Sequence, residues 1–460
     1  MTPGVDRARR TAFDVLLAVS TRDAYANLLL AAALRDRDLS TQDAAFATEL
    51  VYGTLRNRGC YDEIIEVCAD RALDRIDKPV LEVLRLGAHQ LLGTRIKTHA
   101  AVATTVDLAI AVAGRRPAGF VNAVLRRIAP RDRESWLTIV APDRTDDLVG
   151  HLAVRYSHPG WIVSALAEAL GESAPLAQTE AALAADQTRP AVTLAAVPGL
   201  AAADELVEAG ADAARWSPFG AYLPDGDPGR LRPVAEHRAS VQDEASQLAV
   251  LALTRADLDG GADRAWLDLC AGPGGKARLL AGLASQRGAT LLAADTHEHR
   301  ARLAADAVQP IGAARAVAAD GTAPAWRPGA FDRVLADVPC SGLGSLRRRP
   351  EARWRRGPQD IAALVALQRK LLTSAIEATR PGGVLAYVTC SPLVAETRGV
   401  LGHVLGRRPD VRVLDCPALL SGVPDLECPE PDARYAQFWP HRHGSDAIFI
   451  ALLRRDGSVG

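Results

Sequence analysis

The sequence predicts a multidomain protein in which an all-helical N-terminal domain and a small α+β connector precede a C-terminal α/β domain. Its 460 residues, 48% of them hydrophobic, amount to about three common domains. Apolar residues near the N-terminus show helical spacing, whereas the C-terminal half alternates short β-rich and helical stretches. We expect domains at 1–140, 141–235 and 236–460.

The N-terminal domain is predicted from apolar residues that recur three and four positions apart over residues 7–128, as at Phe13, Leu16 and Leu17. This spacing places them on one face of a helix, and strand-like alternation is nearly absent. The stretch Pro130–Asp147 mixes Pro, Arg and Asp without sustained periodicity, which is typical of an interdomain connection. We therefore expect a helical bundle that ends there.

The connector shows a different pattern. A helix is predicted near Trp161–Leu170 and a strand at Ala191–Val197, followed by Pro/Gly-rich chain such as Leu223–Gly229. This mixture predicts a small α+β module.

The C-terminal domain is predicted from six short β-rich runs that are separated by helical stretches. The runs are Ala265–Leu269, Thr290–Ala294, Ala314–Ala318, Arg333–Ala336, Val384–Val388 and Ile448–Leu453. Such alternation predicts a parallel sheet covered by helices.

Composition excludes several classes of protein. The 54 basic and 55 acidic side chains give a net charge of −1, so any nucleic-acid site must be local. Seven cysteines without a C-x-x-C pair indicate free thiols in a reducing compartment. No stretch reaches about 18 uninterrupted apolar residues, and we expect a cytoplasmic protein outside the membrane. His441, His443 and Asp446 lack the further ligands of a zinc site, so no metal is expected.

A glycine-rich loop follows the first predicted strand of the C-terminal domain. Trp266–Cys270 leads into Ala271–Lys276, and Ala277–Leu283 has a helical pattern. This succession brings backbone N–H groups and a helix N-terminus close to a cofactor, although an ordinary tight turn is the alternative. A Walker A loop is disfavoured, because Cys270 stands where its first glycine would be and Ala277 where Ser or Thr would be.

Acidic residues stand at the ends of four successive predicted strands: Asp268, Asp295, Asp320 and Asp337. A single such residue is commonly a helix N-cap. Four of them would face the crevice at the carboxyl edge of the sheet. Together they favour a cofactor that carries a nucleoside.

Two cysteines follow neighbouring predicted strands, in Asp337-Val-Pro-Cys340 and Thr389-Cys390. A thiolate there could add to an electron-poor ring carbon if a cation such as Lys276 favoured its ionisation. Asp337 could hold the ring nitrogen and exocyclic amine of a cytosine. The chemistry fits a pyrimidine substrate, and spacing alone leaves open which thiol attacks.

Six ordered motifs carry a family resemblance. They are Gln242–Ser246, Asp268–Lys276, Asp337–Cys340, Arg349–Trp354, Thr389–Ser391 and Pro440–Gly444. Together they resemble the nucleolar-protein/Sun family of RNA cytosine-C5 methyltransferases, which implies a Rossmann-like domain that binds S-adenosylmethionine. The segments Asp43–Arg58 and Phe120–Arg127 resemble a NusB-type RNA-binding domain.

The resemblance assigns roles to both thiols. It implies that Cys390 attacks C6 of cytosine and that Cys340 assists release of the methylated base. It also implies a set of cofactor-binding residues: Cys270, Ala271, Gly272, Pro273, Gly274, Gly275, Lys276, Asp295, Asp320 and Asp337. The loop departs from the family at Gly272, where Ala is common, and at Ala277, where Thr is frequent.

An arginine cluster follows the Pro-Cys motif and surrounds one aromatic residue. Its members are Arg347, Arg348, Arg349, Arg353, Trp354, Arg355 and Arg356. Guanidiniums beside an aromatic ring suit phosphate contact and base stacking, so we expect this cluster to bind RNA. A solvated charged face is the alternative.

The two resemblances together imply a methyltransferase that acts on small-subunit (16S) ribosomal RNA or on an assembling small subunit, and we expect a monomer. Transfer RNA is the alternative substrate. A non-catalytic NusB-like RNA-binding or antitermination factor is the alternative from another class. The target cytosine must be unpaired or extruded from its helix to reach a thiol.

Overall fold

The computed structural model describes residues 5–22, 24–429 and 431–457. They form two compact units. The first contains the described residues up to Ala167, with Glu172–Arg189 and Leu346–Arg356. The second contains Glu168–Gly171, Pro190–Ser345 and the described residues from Gly357 onward.

The first unit is helical, as predicted. Its helices are α1 (Arg7–Arg22), α2 (Ala26–Asp36), α3 (Thr41–Arg56), α4 (Arg58–Ala69), α5 (Lys78–Leu92), α6 (Thr98–Ala113), α7 (Arg115–Ile128), α8 (Arg133–Val140), α9 (Leu148–Arg155), α10 (Gly160–Leu170) and α11 (Ala177–Ala185), of which α10 ends in the second unit. Ser40 caps α3 by accepting a hydrogen bond from the Asp43 N–H at 3.1 Å. The Arg85 side chain on α5 is buried, and Asp62 and Glu82 neutralise it at 2.6 and 2.5 Å.

Residues 346–356 pack into this helical unit, although the chain on either side belongs to the other unit. The Arg353 side chain is fully buried, and its guanidinium donates to the carbonyls of Arg56, Ser157 and Asp186 at 2.9, 3.2 and 2.9 Å. These carbonyls lie at the C-terminal ends of α3, α9 and α11, where helices leave acceptors unsatisfied. The Arg353 guanidinium thus donates hydrogen bonds to carbonyls at three helix ends.

The strands all belong to the second unit. They are β1 (Val192–Ala196), β2 (Asp212–Ala213), β3 (Gly220–Leu223), β4 (Ala239–Val241), β5 (Ala265–Asp268), β6 (Thr290–Asp295), β7 (Ala314–Ala318), β8 (Phe331–Asp337), β9 (Thr379–Thr389), β10 (Val411–Val413), β11 (Ala436–Gln437) and β12 (Phe449–Arg455). The first four form an antiparallel sheet in the order β2-β3-β1-β4.

The larger sheet has the order β7-β6-β5-β8-β9-β12-β10, with β11 paired to β12. Strands β5 to β9 are parallel, and β12 is antiparallel to β9. All six predicted strands are confirmed, with shifted ends such as the start of β9 at Thr379. The strand order reverses between β5 and β8, which is where an α/β sheet forms its ligand crevice.

Helices cover both faces of this sheet. They are α14 (Glu244–Arg255), α15 (Gly275–Gln286), α16 (Glu298–Val308), α17 (Pro358–Ala378), α18 (Arg398–Leu405) and α19 (Cys416–Leu419); the shorter α12 (Ala203–Glu208), α13 (Arg232–Ala235) and α20 (Pro440–His443) complete the unit. Alternate strand residues face opposite helix layers: Trp266 packs with α14 and α15, and Leu267 with α17. This two-sided burial explains why the strands have continuous apolar runs.

The predicted connector, 141–235, is not a compact unit in the structure. Its helices up to Arg189 pack with the helical unit, and its strands from Pro190 onward join the sheet unit. Glu244 on α14 accepts hydrogen bonds from the N–H groups of Trp216 and Ser217 at 2.6 and 2.7 Å. These bonds join the chain between β2 and β3 to a helix that packs on the larger sheet.

Candidate active site

The predicted glycine loop connects β5 to α15. Gly274 has a φ of +111°, and a Cβ there would lie 2.5 Å from the Ala307 Cβ, so only glycine fits. A Cβ at Gly272 would lie 2.6 Å from the Asp295 Oδ2. An alanine at this position would therefore require the neighbouring side chains to move.

Asp295 is the last residue of β6, and its carboxylate is hydrogen-bonded to the glycine loop. The carboxylate is buried and accepts hydrogen bonds from the N–H groups of Gly272 and His297 at 3.1 and 3.0 Å. The Arg300 guanidinium donates to the Gly272 carbonyl at 2.6 Å. Loop and strand end are thus joined before any ligand binds.

Two of the other strand-end carboxylates, Asp320 and Asp268, differ in environment. Asp320 is exposed after β7, and hydrogen bonds from the N–H and hydroxyl of Thr322 lower its pKa. Asp268 is fully buried, and burial followed by the nearby Asp337 carboxylate raises its pKa to about 8. Its Oδ2 is a buried atom without a hydrogen-bond partner among the described residues.

Lys276 of α15 and Asp337 at the end of β8 form an ion pair, with 2.8 Å between Nζ and Oδ2. Burial alone would lower the pKa of Lys276, but the Asp337 carboxylate outweighs it and the pKa rises. The Cys390 thiol also contributes to this rise. Lys276 is therefore charged, and Cys390 is among the groups that interact with it electrostatically.

The two thiols lie together at the carboxyl ends of adjacent parallel strands. Cys340 follows β8 and Cys390 follows β9, and their Sγ atoms are 3.2 Å apart. The hydrogen bond with Cys390 and then burial raise the pKa of Cys340. The parallel register, which pairs Asp337 with Val388, brings the two loops to the same edge.

A buried carboxylate that the sequence analysis does not identify connects both thiol loops. Glu396 accepts hydrogen bonds from the Ser341 N–H and hydroxyl at 2.8 and 2.5 Å and from the Ser391 hydroxyl at 2.6 Å. The Gln368 amide of α17 donates to it at 2.9 Å. Each serine directly follows one of the two cysteines, which is the only signal in the sequence that could have indicated this arrangement.

We expect Glu396→Ala to lower the free energy of unfolding by about 2–4 kcal/mol, because it leaves several buried donors without an acceptor. Urea denaturation measures this change. Glu298→Ala is the matched control, since the Glu298 carboxylate is mostly exposed in a surface pair with Arg302 and should change stability by less than about 1 kcal/mol. Equal losses in the two variants would contradict a structural role for Glu396.

Two other motifs of the sequence analysis have structural partners. Asp243, in the segment Gln242–Ser246, accepts hydrogen bonds from the N–H groups of Ala245 and Asp446 at 3.0 and 3.1 Å. His443 is buried; its Nδ1 accepts from the Trp439 N–H and its Nε2 donates to the Pro424 carbonyl, both at 2.9 Å. Among the described residues, no group of three metal-ligating side chains is found.

The predicted RNA-binding cluster is largely embedded in the helical unit. Arg347 and Arg353 are buried, whereas Arg349 and Arg356 are exposed. The ring of Trp354 lies against Gly59, with the Arg58 guanidinium 5.6 Å from its centroid. The arginines of this segment do not all face solvent, because its charges also serve to dock it.

Two arginines of the cluster, Arg349 and Arg355, lie near Tyr25. The guanidiniums of Arg349 and Arg355 lie 5.5 and 4.6 Å from the Tyr25 ring centroid, and Arg355 also donates to the Ala24 carbonyl. Arg348 is half-buried.

In the described parts of the chain, no helix combines the length and apolar character needed to cross a bilayer.

Comparison with known proteins gives consistent matches. The family described as 16S rRNA methyltransferase RsmB/F matches residues 256–454, and the NusB family matches residues 6–130. A putative methyltransferase of Mycobacterium tuberculosis is 52% identical over 98% of this chain and 97% of its own. Ribosomal RNA small subunit methyltransferase B of Sodalis glossinidius is 32% identical over 85% of this chain and 87% of its own. The solved structure of PH0851 shares the fold, with a TM-score of 0.78, 22% identity, and coverage of 99% of this chain and 100% of that one.

Proposed function

Because the chain belongs to the RsmB/F family of 16S rRNA methyltransferases, with an N-terminal NusB-like domain, we propose that it methylates C5 of a cytosine in small-subunit ribosomal RNA. Its cofactor is S-adenosylmethionine, as for the family. The observation that carries the cytosine-C5 chemistry is the pair of thiols, 3.2 Å apart beside the Lys276–Asp337 ion pair.

The residues of the loop fit a nucleoside-bearing cofactor. Glycines at 272 and 274 leave room where a Cβ would collide, and Asp268 presents a buried oxygen without a partner among the described residues. In our proposal the segment from Cys270 to Lys276, with Asp295, Asp320 and Asp337, holds S-adenosylmethionine. When bound, this cofactor supplies an electrophilic methyl group.

The protein's own steps begin at Cys390. Its thiolate forms a bond to C6 of the cytosine, which makes C5 nucleophilic toward the methyl group. Asp337 holds the exocyclic amine and the protonated ring nitrogen, stabilising charge as the ring becomes saturated. Cys340 then assists release by taking the proton from C5: the electrons of that C–H bond re-form the C5–C6 double bond, the bond between C6 and Cys390 Sγ breaks, Cys390 leaves as a thiolate, and the ring nitrogen gives up its proton.

Lys276 and Glu396 do not react in these steps; in our proposal Lys276 acts electrostatically and Glu396 positions the thiol loops. Lys276 favours the Cys390 thiolate through its positive charge and orients Asp337 through their hydrogen bond. Glu396 holds the two serines that follow the cysteines. We propose that this spacing lets Cys340 reach the site of the adduct on Cys390.

The arginine cluster keeps only part of the role that the sequence predicts for it. We propose that the exposed side chains of Arg349 and Arg356 contact RNA, whereas Arg347 and Arg353 are buried. Both thiols belong to one chain, so the proposed chemistry needs no second copy, and we propose a monomer.

Gly274→Ala should weaken binding of S-adenosylmethionine roughly tenfold or more, because a Cβ collides with Ala307 at a φ of +111°. Isothermal titration calorimetry measures the dissociation constant. Gly288→Ala is the matched control: its φ is also positive, at +68°, but nothing lies within 4 Å of the added Cβ. Unchanged cofactor affinity in Gly274→Ala would contradict the placement of the cofactor at this loop.

The test of the proposed function is transfer of labelled methyl from S-adenosylmethionine to RNA from cells that lack this protein. Small-subunit rRNA, assembling small subunits and tRNA are supplied separately. Label recovered as 5-methylcytosine in small-subunit rRNA, free or assembled, supports the proposal. Label on tRNA alone would overturn the substrate, and absence of label on all three would favour a non-catalytic RNA-binding factor.

A further inference from the structure

A positively charged groove of about 390 Å³ lies between α17, α18 and the loop after β7. Four cations line it, Arg369, Lys370, Arg407 and Arg408, against one carboxylate, Glu377. The whole chain has a net charge of −1, so this excess of positive charge is local. Such a surface attracts a polyanion.

Among the described residues, three of these cations have no carboxylate in ion-pair contact. Arg408 pairs with Asp410 at 2.7 Å, but Arg369, Lys370 and Arg407 form no ion pair within the described part of the chain. Desolvation, followed by the guanidiniums of Arg369 and Arg407, lowers the pKa of the adjacent His403. The groove is therefore positive without depending on histidine protonation.

The groove also offers hydrogen-bond donors. The Ser374 hydroxyl and the Nε of Arg369 are buried and have no hydrogen-bond partner among the described residues. Lys370 and Arg407 are exposed at the groove and can reach a bound molecule. These exposed cations suit an anion with several oxygens, as in a phosphodiester.

The groove begins beside the proposed catalytic edge. On α17, Gln368 donates to Glu396 and to the Pro339 carbonyl at 2.9 Å each, and the next residue of the helix, Arg369, lines the groove. At the other end, Thr322 lines the groove and donates to Asp320 at 2.8 Å. The groove therefore borders Asp320, a residue of the proposed cofactor site.

We propose that this groove binds the phosphodiester backbone of the substrate RNA next to the target nucleotide. This inference rests on the proposed function, because it takes RNA as the methyl acceptor. It assigns RNA contact to α17 and α18, whereas the sequence motifs place it in the arginine cluster. Phosphate contacts of this kind position a substrate without reading its sequence.

The test compares two double variants of the full-length protein. Lys370→Gln/Arg407→Gln removes two groove cations, and Arg232→Gln/Arg315→Gln removes two exposed arginines elsewhere in the same unit. Filter binding measures affinity for a small-subunit rRNA transcript over a series of salt concentrations. We expect the groove variant to bind about tenfold more weakly and the slope of log affinity against log salt to fall by about 1.4–1.8, while the control changes little.

The possible results distinguish failure of the groove inference from failure of the proposed methyl transfer. Equal weakening in both double variants would mean that bulk charge is responsible and would overturn the inference. A groove variant that keeps RNA affinity and salt slope would also overturn it. Both variants should bind S-adenosylmethionine like the wild type, which shows that they are folded. Failure of the proposed function appears separately, as a wild-type protein that binds the transcript yet leaves cytosine C5 unmethylated in both free rRNA and assembling subunits.

Discussion

Cys390→Ala should reduce methyl transfer by roughly a thousandfold or more, because no other side chain at the site is proposed to form the bond to C6. Cys340 is the nearest thiol, but its burial, which the variant leaves in place, raises its pKa and disfavours its thiolate. Transfer of labelled methyl to the RNA substrate, under single-turnover conditions, measures the loss.

Cys428→Ala is the matched control for this experiment. Cys428 is a buried thiol of the same unit, and burial raises its pKa to about 12. Its removal tests whether loss of any buried thiol in the unit reduces activity. Near-normal turnover in Cys390→Ala would refute its assignment as nucleophile.

Cys340→Ala should trap the enzyme on its RNA. If Cys340 assists release and not attack, the adduct between Cys390 and the methylated base forms at a near-normal rate and then persists. A denaturing gel should show a slow-migrating protein–RNA species that approaches one equivalent per enzyme, while multiple turnover falls at least about a hundredfold.

The double variant Cys340→Ala/Cys390→Ala identifies the thiol that carries the adduct. It should show no slow-migrating band, because the thiol that forms the bond is missing. The opposite pattern, with an adduct in Cys390→Ala and none in Cys340→Ala, would reverse the two roles. This comparison resolves the assignment that sequence spacing leaves open, since the 3.2 Å between the Sγ atoms gives both thiols access to the same place.

The two predictions depend on features that the sequence reveals to different degrees. Strand ends such as Asp337 and Thr389 follow from apolar runs that stop at polar residues, so the meeting of Cys340 and Cys390 could be expected from a parallel sheet. Glu396 could not, because its partners come from three separate segments and its own surroundings in the chain show no periodicity. A buried carboxylate is defined by tertiary contacts.

The arginine cluster is a case in which the sequence predicts an exposed site and the structure buries part of it. A run of arginines around Trp354 predicts charge at a surface, but Arg353 is fully buried. The donors of a guanidinium can satisfy several helix-end carbonyls at once, and nothing local in the sequence distinguishes that use from phosphate binding. The split of the predicted connector has a similar cause, because Glu244 and the loop it binds are distant in the chain.

The burial of residues 346–356 in the helical unit has a consequence for synthesis. N-terminal domains usually fold first as the chain leaves the ribosome, at about 5–20 residues per second. Here the carbonyls at the ends of α3, α9 and α11 have no Arg353 to bind until residue 353 has been synthesised. The Ala26 N–H at the start of α2 likewise lacks its acceptor, Glu351, which it binds at 3.1 Å. Translation from Arg189 to Arg356 takes roughly 10–30 s at that pace. During this interval the helical unit lacks its last segment, and its completion is tied to synthesis of the Pro-Cys loop that precedes it.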